Sequence, residues 1–136
     1  MPFQVEFVSP EVVLYSGEGT QVVARTRGGG EIAFLAGHEP FIGSLQPSEI
    51  RVTESGGSVR HFAVRSGFVS VTGTSVTVLS DAAMPADDID LAAAQADKAA
   101  AEAALAANAD DAFAREDLRW ADVRLTVGGG PSSTAH

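Results

Sequence analysis

The sequence predicts a mainly β domain followed by an α-helical domain, and the main observation is a change in composition near Pro85. Before this residue the chain is rich in Val, Ile, Phe, Thr, Ser and Gly. After it, Ala makes up 16 of the 43 residues from 85 to 127. Val and Thr favour strands and Ala favours helix. Residues 1–84 are therefore predicted to form the β domain, residues 85–127 the helical domain, and the Gly- and Ser-rich residues 128–136 a flexible tail.

The β domain is predicted from short runs of strand-forming residues separated by turn signals. Residues 3–7 alternate apolar and polar side chains, as half-buried strands do. Residues 55–57 and 72–74 are hairpin signals, and residues 16–19 predict a further turn. Turns this regular indicate an antiparallel sandwich or a flattened barrel, and a parallel sheet is excluded because no crossover helix separates the strands. The predicted strands are residues 3–7, 11–15, 20–26, 31–35, 49–54, 58–64, 67–71 and 75–79.

The Ala-rich part is predicted to form two helices joined by a short loop at residues 108–111, which makes them antiparallel neighbours. Asp87 and Asp88 are predicted to cap the first helix, and the pair Asp110 and Asp111 to cap the second. The predicted apolar face of the first helix consists of Ile89, Ala92, Ala93, Ala96, Ala99, Ala100, Ala103 and Ala107.

The second helix carries larger apolar side chains at heptad spacing, and these form the candidate docking surface of the hairpin. An Ala face buries little area, so the hairpin is expected to depend on docking for its stability. It docks either on the β domain, which is the favoured interpretation, or on another chain. The candidate docking residues are Phe113, Trp120 and Val127.

The charge excludes several classes of function. Nine basic and 18 acidic residues give a net charge of −9, whereas nucleic-acid binding needs clustered Lys and Arg. Attachment to anionic lipid through a basic patch is equally disfavoured, and no apolar run is long enough to insert into or span a bilayer. The chain has no cysteine, which excludes Cys-ligated metal sites. The charge is also uneven, because residues 85–136 carry −6 of it.

No cofactor, metal or catalytic site is predicted from the residues. Lys98 is the only lysine and lies in the Ala-rich helix, so a P-loop is excluded. The glycines at 28–30 precede a strand and are interpreted as a turn. His38 and Glu39 could form a metal pair or a general base, but nothing nearby completes such a site. His38 is therefore predicted to be a hydrogen-bonded loop residue, in a non-catalytic module that binds partners.

Three segments resemble the ATP synthase epsilon subunit family. Residues 30–42, Gly-Glu-Ile-Ala-Phe-Leu-Ala-Gly-His-Glu-Pro-Phe-Ile, are similar to the family signature G-E-I-G-I-L-P-G-H-A-P-L-L. Residues 7–17 resemble its opening V-S-P/A … F/Y-S-G. Residues 62–83 resemble its F-x-V-x-G-G-F-x … V-T-V-L-A-D-x-A. The resemblance extends from residue 3 to about residue 127.

This resemblance implies a ten-strand antiparallel β-sandwich followed by an antiparallel two-helix hairpin. It implies a non-catalytic subunit of the central stalk of the proton-transporting F-type ATP synthase, at the cytoplasmic face of the cell membrane. The implied partners are the gamma subunit and the c ring, with the beta subunit as a candidate third partner through the helices. The alternative is a free-standing β-sandwich adaptor, and an enzyme using His38 and Glu39 comes third.

The resemblance also implies roles for residues in the segment 31–40, which it places at the end of the sandwich facing the c ring. Glu31 is a candidate to contact polar loops of the ring, and His38 is a candidate to brace the loop. Gly37 supplies turn freedom and Pro40 stiffens the turn.

Two departures from the family pattern concern ATP and regulation. Ala93 and Trp120 stand where ATP-binding members have arginines, and the loss of two guanidinium groups predicts weak ATP binding or none. In the family the helices also inhibit ATP hydrolysis through basic residues. Arg115, Arg119 and Arg124 are the candidate regulatory contacts here, and the net charge of −6 predicts weaker inhibition.

Overall fold

The computed structural model describes residues 2–28 and 30–129, in which nine strands are followed by a single 3-10 turn and two helices. The 3-10 turn spans Ala86–Asp88, and the helices are α1 (Leu91–Ala107) and α2 (Ala112–Gly129). The strands are β1 (Phe3–Val8), β2 (Val13–Thr26), β3 (Gly30–Leu35), β4 (Phe41–Leu45), β5 (Ser48–Glu54), β6 (Val59–Val64), β7 (Gly67–Val71), β8 (Ser75–Leu79) and β9 (Ala83–Pro85).

The described residues form nine strands, rather than the ten that the resemblance implies. Strand β2 accounts for one difference from the strands predicted from the residues themselves. Residues 16–19, predicted as a turn, lie inside this 14-residue strand because β1 pairs along them. The register of β2 against β5 shifts between Gly19 and Gln21, so a bulge replaces the turn. Strands β4 and β9 lie outside the predicted strands, since each contains a residue of low strand propensity, Gly43 and Pro85.

The strands hydrogen-bond in the order β1-β8-β7-β4-β2-β5-β6-β9, with β3 on β2. Strand β2 pairs with β1 along its first half and with β3 and β5 along its second half, so β2 belongs to both layers of the sandwich. Every pair is antiparallel except β1 with β8, which run parallel through Gln4↔Ser75 to Val8↔Leu79. The sheet is therefore not a parallel one, as predicted, and in this one parallel pair the intervening strands provide the crossover that a helix provides in α/β folds.

The core of the sandwich lies between the two layers and contains mostly Val and Phe. In β1, Phe3, Val5 and Phe7 are buried, as the predicted alternation requires. The ring of Phe62 from β6 lies 4.4 Å from that of Phe7 and 5.0 Å from that of Tyr15, measured between centroids. These aromatic contacts join β1, β2 and β6 at one point, so the core ties both layers together.

The helices begin at aspartate caps. The Asp90 side chain accepts a 3.0 Å hydrogen bond from the Ala93 N–H and caps α1. The prediction that Asp87 and Asp88 cap α1 is wrong, because both lie in the separate 3-10 turn. For α2 the Ala114 N–H donates to Asp111 at 3.0 Å, as predicted.

The face that α1 presents to α2 differs from the predicted one. Ala94 and Ala101 are buried there, whereas the predicted alanines are exposed. Alanine lies on almost every side of α1, so its position alone does not fix the face. Helix α2 fixes it instead, through buried Ala114 and Ala121. The exposed alanines are Ala92, Ala93, Ala96, Ala99, Ala100, Ala103 and Ala107.

Helix α2 continues to Gly129, two residues into the predicted tail. At Gly128 a Cβ would lie 2.8 Å from Ile89 Cγ2 and 3.1 Å from a Leu91 methyl carbon. The glycine thus permits close packing against the start of α1, and this packing continues the helix. Residues 130–136 of the predicted tail lie outside the described residues. Within the described part, neither helix is long and apolar enough to cross a membrane.

Candidate interaction surfaces

The hairpin docks on the sandwich through a small apolar contact. Trp120 and Val127 of α2 are buried against Ala63 of β6, with exposed fractions of 7% and 1% for the two helix residues. Phe113, the third predicted docking residue, is 84% exposed and takes no part. It lies in the first turn of α2, outside the part of the helix that makes the apolar contact with the sandwich. The surrounding partly buried residues are Ala82, Met84, Ala86, Ile89 and Val123.

One ion pair joins the hairpin to the sandwich, and two more join the helices to each other. Arg65 of the sandwich lies 2.9 Å from Asp117 of α2, measured between Nη2 and Oδ1. Between the helices, Arg124 Nη2 lies 2.9 Å from Asp97 Oδ2, and the Arg124 guanidinium lies 5.1 Å from the centroid of the Trp120 ring. Arg124 is 8% exposed. Arg124, one of the candidate regulatory residues, thus links the two helices to each other. A second ion pair between the helices joins Lys98 Nζ to Asp122 Oδ1 at 3.1 Å.

The other two candidate regulatory residues lie on the surface of α2. Arg115 and Arg119 are exposed, and the i, i+4 spacing places them on one side of the helix. They line a groove of about 380 Å³ beside the sandwich, together with Leu118 and Val123 of α2 and Glu49 of β5. Helix α2 therefore presents a basic, partly apolar edge while it is docked.

The β3–β4 turn is held by a hydrogen bond to the β7–β8 turn and by contacts of its own His38. Gly37 has a φ of +82°, which strongly favours glycine, and its N–H donates to the Gly73 carbonyl of the β7–β8 turn at 3.1 Å. His38 Nδ1 donates to the Glu39 carbonyl at 2.7 Å. The His38 ring packs edge-on to Phe34 at 5.0 Å. His38 thus braces the turn, with exposed Pro40 leading into β4.

Glu31 lies at the opposite end of β3 from this turn. Six strand residues span roughly 17–20 Å, so the structure does not bring Glu31 together with His38. The Glu31 carboxylate instead lies 3.9 Å from Arg25 Nη2 and 3.7 Å from Arg51 Nη2, and its side chain is 47% exposed. Arg51 also contacts Glu49 at 3.4 Å. A row of alternating charges therefore crosses the outside of β3, β2 and β5.

The opposite layer of the sandwich carries exposed apolar side chains that the sequence analysis did not single out. Phe68 of β7 is paired with Leu79 of β8, which is paired with Val8 of β1, and Val8 is paired with Val13 of β2. Ile42 of β4 lies diagonally beside Phe68. We call these five residues the outer apolar face. The signal was present in the alternation of β7, where buried Val69 and Val71 turn Phe68 outward. The exposed fractions are 75% for Ile42, 54% for Val13, 53% for Phe68 and 46% for Leu79.

Neither of the two positions at which ATP-binding members carry arginines has a basic side chain in this protein. Ala93 is exposed in the first turn of α1, and its N–H is taken by the Asp90 cap. Trp120 is buried in the docking contact. Among residues 2–28 and 30–129, no three His, Asp or Glu side chains come together as metal ligands do.

Comparison with known proteins identifies the family. Residues 2–86 match the family model of the ATP synthase delta/epsilon chain, β-sandwich domain. ATP synthase epsilon chain 1 of Methylococcus capsulatus is 43% identical over 106 residues, which cover 78% of this chain and 75% of that protein. The ATP synthase epsilon chain of Ruminococcus albus is 36% identical over 129 residues, which cover 92% and 95%.

Solved structures have the same fold. A chain of the Euglena gracilis mitochondrial ATP synthase (OSCP/F1/c-ring in rotational state 1) superposes with a TM-score of 0.70 at 20% identity, covering 99% of this chain and 82% of that one. A chain of the Tetrahymena thermophila mitochondrial ATP synthase, from its central stalk and c ring, gives 0.52 at 12% identity, covering 65% and 70%. A free-standing adaptor is not favoured. The chain belongs to the ATP synthase epsilon chain family and is a non-catalytic subunit of that complex.

Proposed function

We propose that this chain couples rotation of the c ring to the catalytic head by binding the gamma subunit and the c ring with different surfaces of its sandwich. The assembly lies at the cytoplasmic face of the cell membrane. The observation that carries this proposal is the division of the sandwich surface. The hairpin covers one layer, the opposite layer exposes the outer apolar face, and a charged end remains open at Glu31.

The outer apolar face is the proposed contact for gamma. Phe68, Leu79 and Ile42 are each at least 46% exposed and lie next to one another across three strands. Contiguous exposed apolar side chains mark interaction surfaces in soluble proteins. Burying Phe68 and its neighbours under a partner removes this surface from water, which favours a permanent contact.

The Glu31 end is the proposed contact for the c ring. The Glu31 carboxylate is half exposed, and its contacts to Arg25 and Arg51 are 3.7 Å or longer. It therefore retains the capacity to accept hydrogen bonds from polar ring loops. Gly37, His38 and Pro40 hold the turn at the far end of β3 and act on the ring only through the rigidity of the sandwich.

The helices are proposed to reach the beta subunit only after they leave the sandwich. Undocking exposes Trp120 and breaks the ion pair between Arg65 and Asp117. Arg115 and Arg119 are then the available basic contacts, since Arg124 is paired with Asp97. Deleting residues 85–136 is expected to activate ATP hydrolysis modestly. An unchanged ATPase rate would remove the regulatory role.

Co-purification tests the gamma contact. Phe68→Asp places a charge in the centre of the outer apolar face and is expected to abolish recovery of this chain with gamma. Val59→Asp is the matched control, because Val59 is 47% exposed on the other layer. Equal recovery of both variants with gamma would contradict the proposal.

Coupling tests the ring contact. Glu31→Lys is expected to reduce ATP-driven proton pumping by the reconstituted complex while the urea midpoint of the isolated chain stays unchanged. Adding Pro40→Gly is expected to lower this midpoint without unfolding the sandwich, because a stiff residue of the turn is lost. Glu39→Lys is the matched control, since Glu39 is exposed at the opposite end of β3. Normal pumping by Glu31→Lys, or an equal defect in Glu39→Lys, would overturn the assignment of this end to the ring.

A further inference from the structure

A second groove lies where the end of the sandwich meets the start of α2. It has a volume of about 220 Å³. Three of its lining residues are arginines from two parts of the fold, namely Arg27 from the β2–β3 turn and Arg115 and Arg119 from α2. The other lining residues are Pro47, Ala112 and Glu116.

These three arginines differ from the other basic residues of the chain in having no carboxylate partner. All nine Lys and Arg residues lie within the described ranges, and six of them form ion pairs there. Arg27, Arg115 and Arg119 form none within those ranges, although acidic residues outnumber basic ones two to one. The paired residues are Arg25, Arg51, Arg60, Arg65, Lys98 and Arg124.

Local contacts place these arginines beside the groove, and one of them is held by its side chain. The Arg27 backbone N–H donates to the Ser44 carbonyl at 2.9 Å, which anchors the β2–β3 turn against β4. Arg115 Nη2 donates to the Ala109 carbonyl at 3.0 Å and leaves its remaining N–H groups available. Arg119 lies one turn further along α2, on the same side as Arg115. Glu116 contributes a carboxylate to the groove but forms no ion pair with any of the three in the described structure.

We propose that this groove binds a free phosphate-class oxyanion, inorganic phosphate or diphosphate. Guanidinium groups bind such anions through paired, charge-assisted hydrogen bonds. The volume suits an anion of this size better than a whole nucleotide, since pockets for larger ligands measure roughly 300–1,000 Å³. The site is distinct from Ala93 and Trp120, and it does not depend on the proposed gamma and c-ring contacts.

The site exists only while the hairpin is docked, because Arg27 belongs to the sandwich and the other two arginines belong to α2. An anion that binds the docked form alone shifts the equilibrium toward that form, by an amount set by its concentration relative to its Kd. The oxyanion therefore acts as a clamp that keeps the helices on the sandwich.

The test is titration of the full chain with phosphate, diphosphate and ADP at constant ionic strength, followed by amide chemical shifts and by hydrogen exchange of α2. Phosphate or diphosphate is expected to give saturable shifts around Arg27 and Arg119 and slower exchange in α2. Arg27→Ala and Arg119→Ala are each expected to weaken binding about tenfold. Arg60→Ala is the matched control, because Arg60 is paired with Glu54 elsewhere on the sandwich.

Three results would overturn the proposal. The first is a response to phosphate that does not saturate and equals that to chloride. The second is undiminished binding by Arg27→Ala, because an anion bound to α2 alone cannot clamp the hairpin. The third is binding of ADP without binding of phosphate or diphosphate, which assigns the groove to a nucleotide. Arg27→Lys retains the charge and is expected to recover part of the affinity.

Discussion

The sandwich and the hairpin are held together by different kinds of contact. In the sandwich, buried Phe7, Phe34 and Phe62 pack among valines from both layers. In the hairpin, the seam is made of alanines such as Ala94 and Ala121, which bury far less apolar area. The sandwich is therefore expected to be stable by itself, whereas the position of the hairpin depends on Trp120, Val127 and one ion pair between Arg65 and Asp117. We therefore expect the sandwich to stay folded when the helices leave it.

Phe62→Ala is expected to cause the largest loss of unfolding free energy, because it removes an aromatic ring at the junction of both layers. The cost is about 3–5 kcal/mol of unfolding free energy, measured by urea unfolding with far-UV circular dichroism. The docked helices are expected to be lost together with the sandwich. Phe113→Ala is the control, since an 84% exposed ring is expected to change stability by less than about 0.5 kcal/mol. Comparable losses in both variants would contradict this assignment of the core.

Trp120→Ala is expected to separate the two regions. It removes the largest side chain of the docking contact at a cost of about 3 kcal/mol to docking, and hydrogen exchange of α2 is expected to accelerate strongly. The unfolding midpoint of the sandwich is expected to change little. If the sandwich loses as much stability as the docked hairpin, the two regions are one cooperative unit.

Alkaline pH is expected to weaken the sandwich through Tyr15. Burial, with the hydrogen bond that the Tyr15 hydroxyl donates to Glu54 at 2.6 Å, raises the pKa of Tyr15 to about 12 from 10.0. The native state therefore holds this proton where the unfolded state releases it, so stability falls as pH rises from 10 toward 12. Unfolding free energies of wild type and Tyr15→Phe across this range measure the effect. A parallel decline in both proteins would exclude Tyr15 as its source.

Asp97→Ala makes the smallest expected change and probes the link between the helices. It leaves Arg124, which is 8% exposed, without its partner at 2.9 Å. Because Asp97 itself is 57% exposed, solvent screens the pair, and the loss is expected to be about 1 kcal/mol and to shrink at high salt. Hydrogen exchange of α2 reports the change. The control is Glu102→Ala, on the exposed side of α1, which is expected to leave hydrogen exchange of α2 unchanged. If Glu102→Ala accelerates exchange as much as Asp97→Ala does, Asp97 acts only through the overall charge of the helix and not through Arg124.

Features that depend on residues close together in sequence, such as hairpin turns and helix caps, could be predicted from the sequence. The hairpin signals at residues 55–57 and 72–74 are confirmed by the antiparallel pairs β5–β6 and β7–β8. The cap of α2 at Asp111 is confirmed as well. The turn predicted at residues 16–19 is wrong because β1, the preceding strand in the chain, pairs along these residues. Pairing with a neighbouring strand overrides the local preference of Ser and Gly for a turn.

The interaction surfaces depend on which strands and helices become neighbours, and a linear sequence does not show this directly. Glu31 and His38 are seven positions apart, yet an extended strand places them at opposite ends of the sandwich. The groove joins Arg27 to Arg115 across 88 positions, and their lack of carboxylate partners follows only from the folded arrangement. Phe113 fits the heptad pattern, but the apolar contact with the sandwich involves only residues from Trp120 onward in α2.

The parallel pairing of β1 with β8 constrains the order in which the chain folds. Residues 4–8 bond to residues 75–79, so the first strand lacks one of its two neighbours until almost the whole sandwich has been synthesised. Contacts this distant in sequence slow folding, because a long loop must close before they form. We therefore expect the sandwich to close only after β8 emerges from the ribosome, and the helices to dock afterwards on the completed surface.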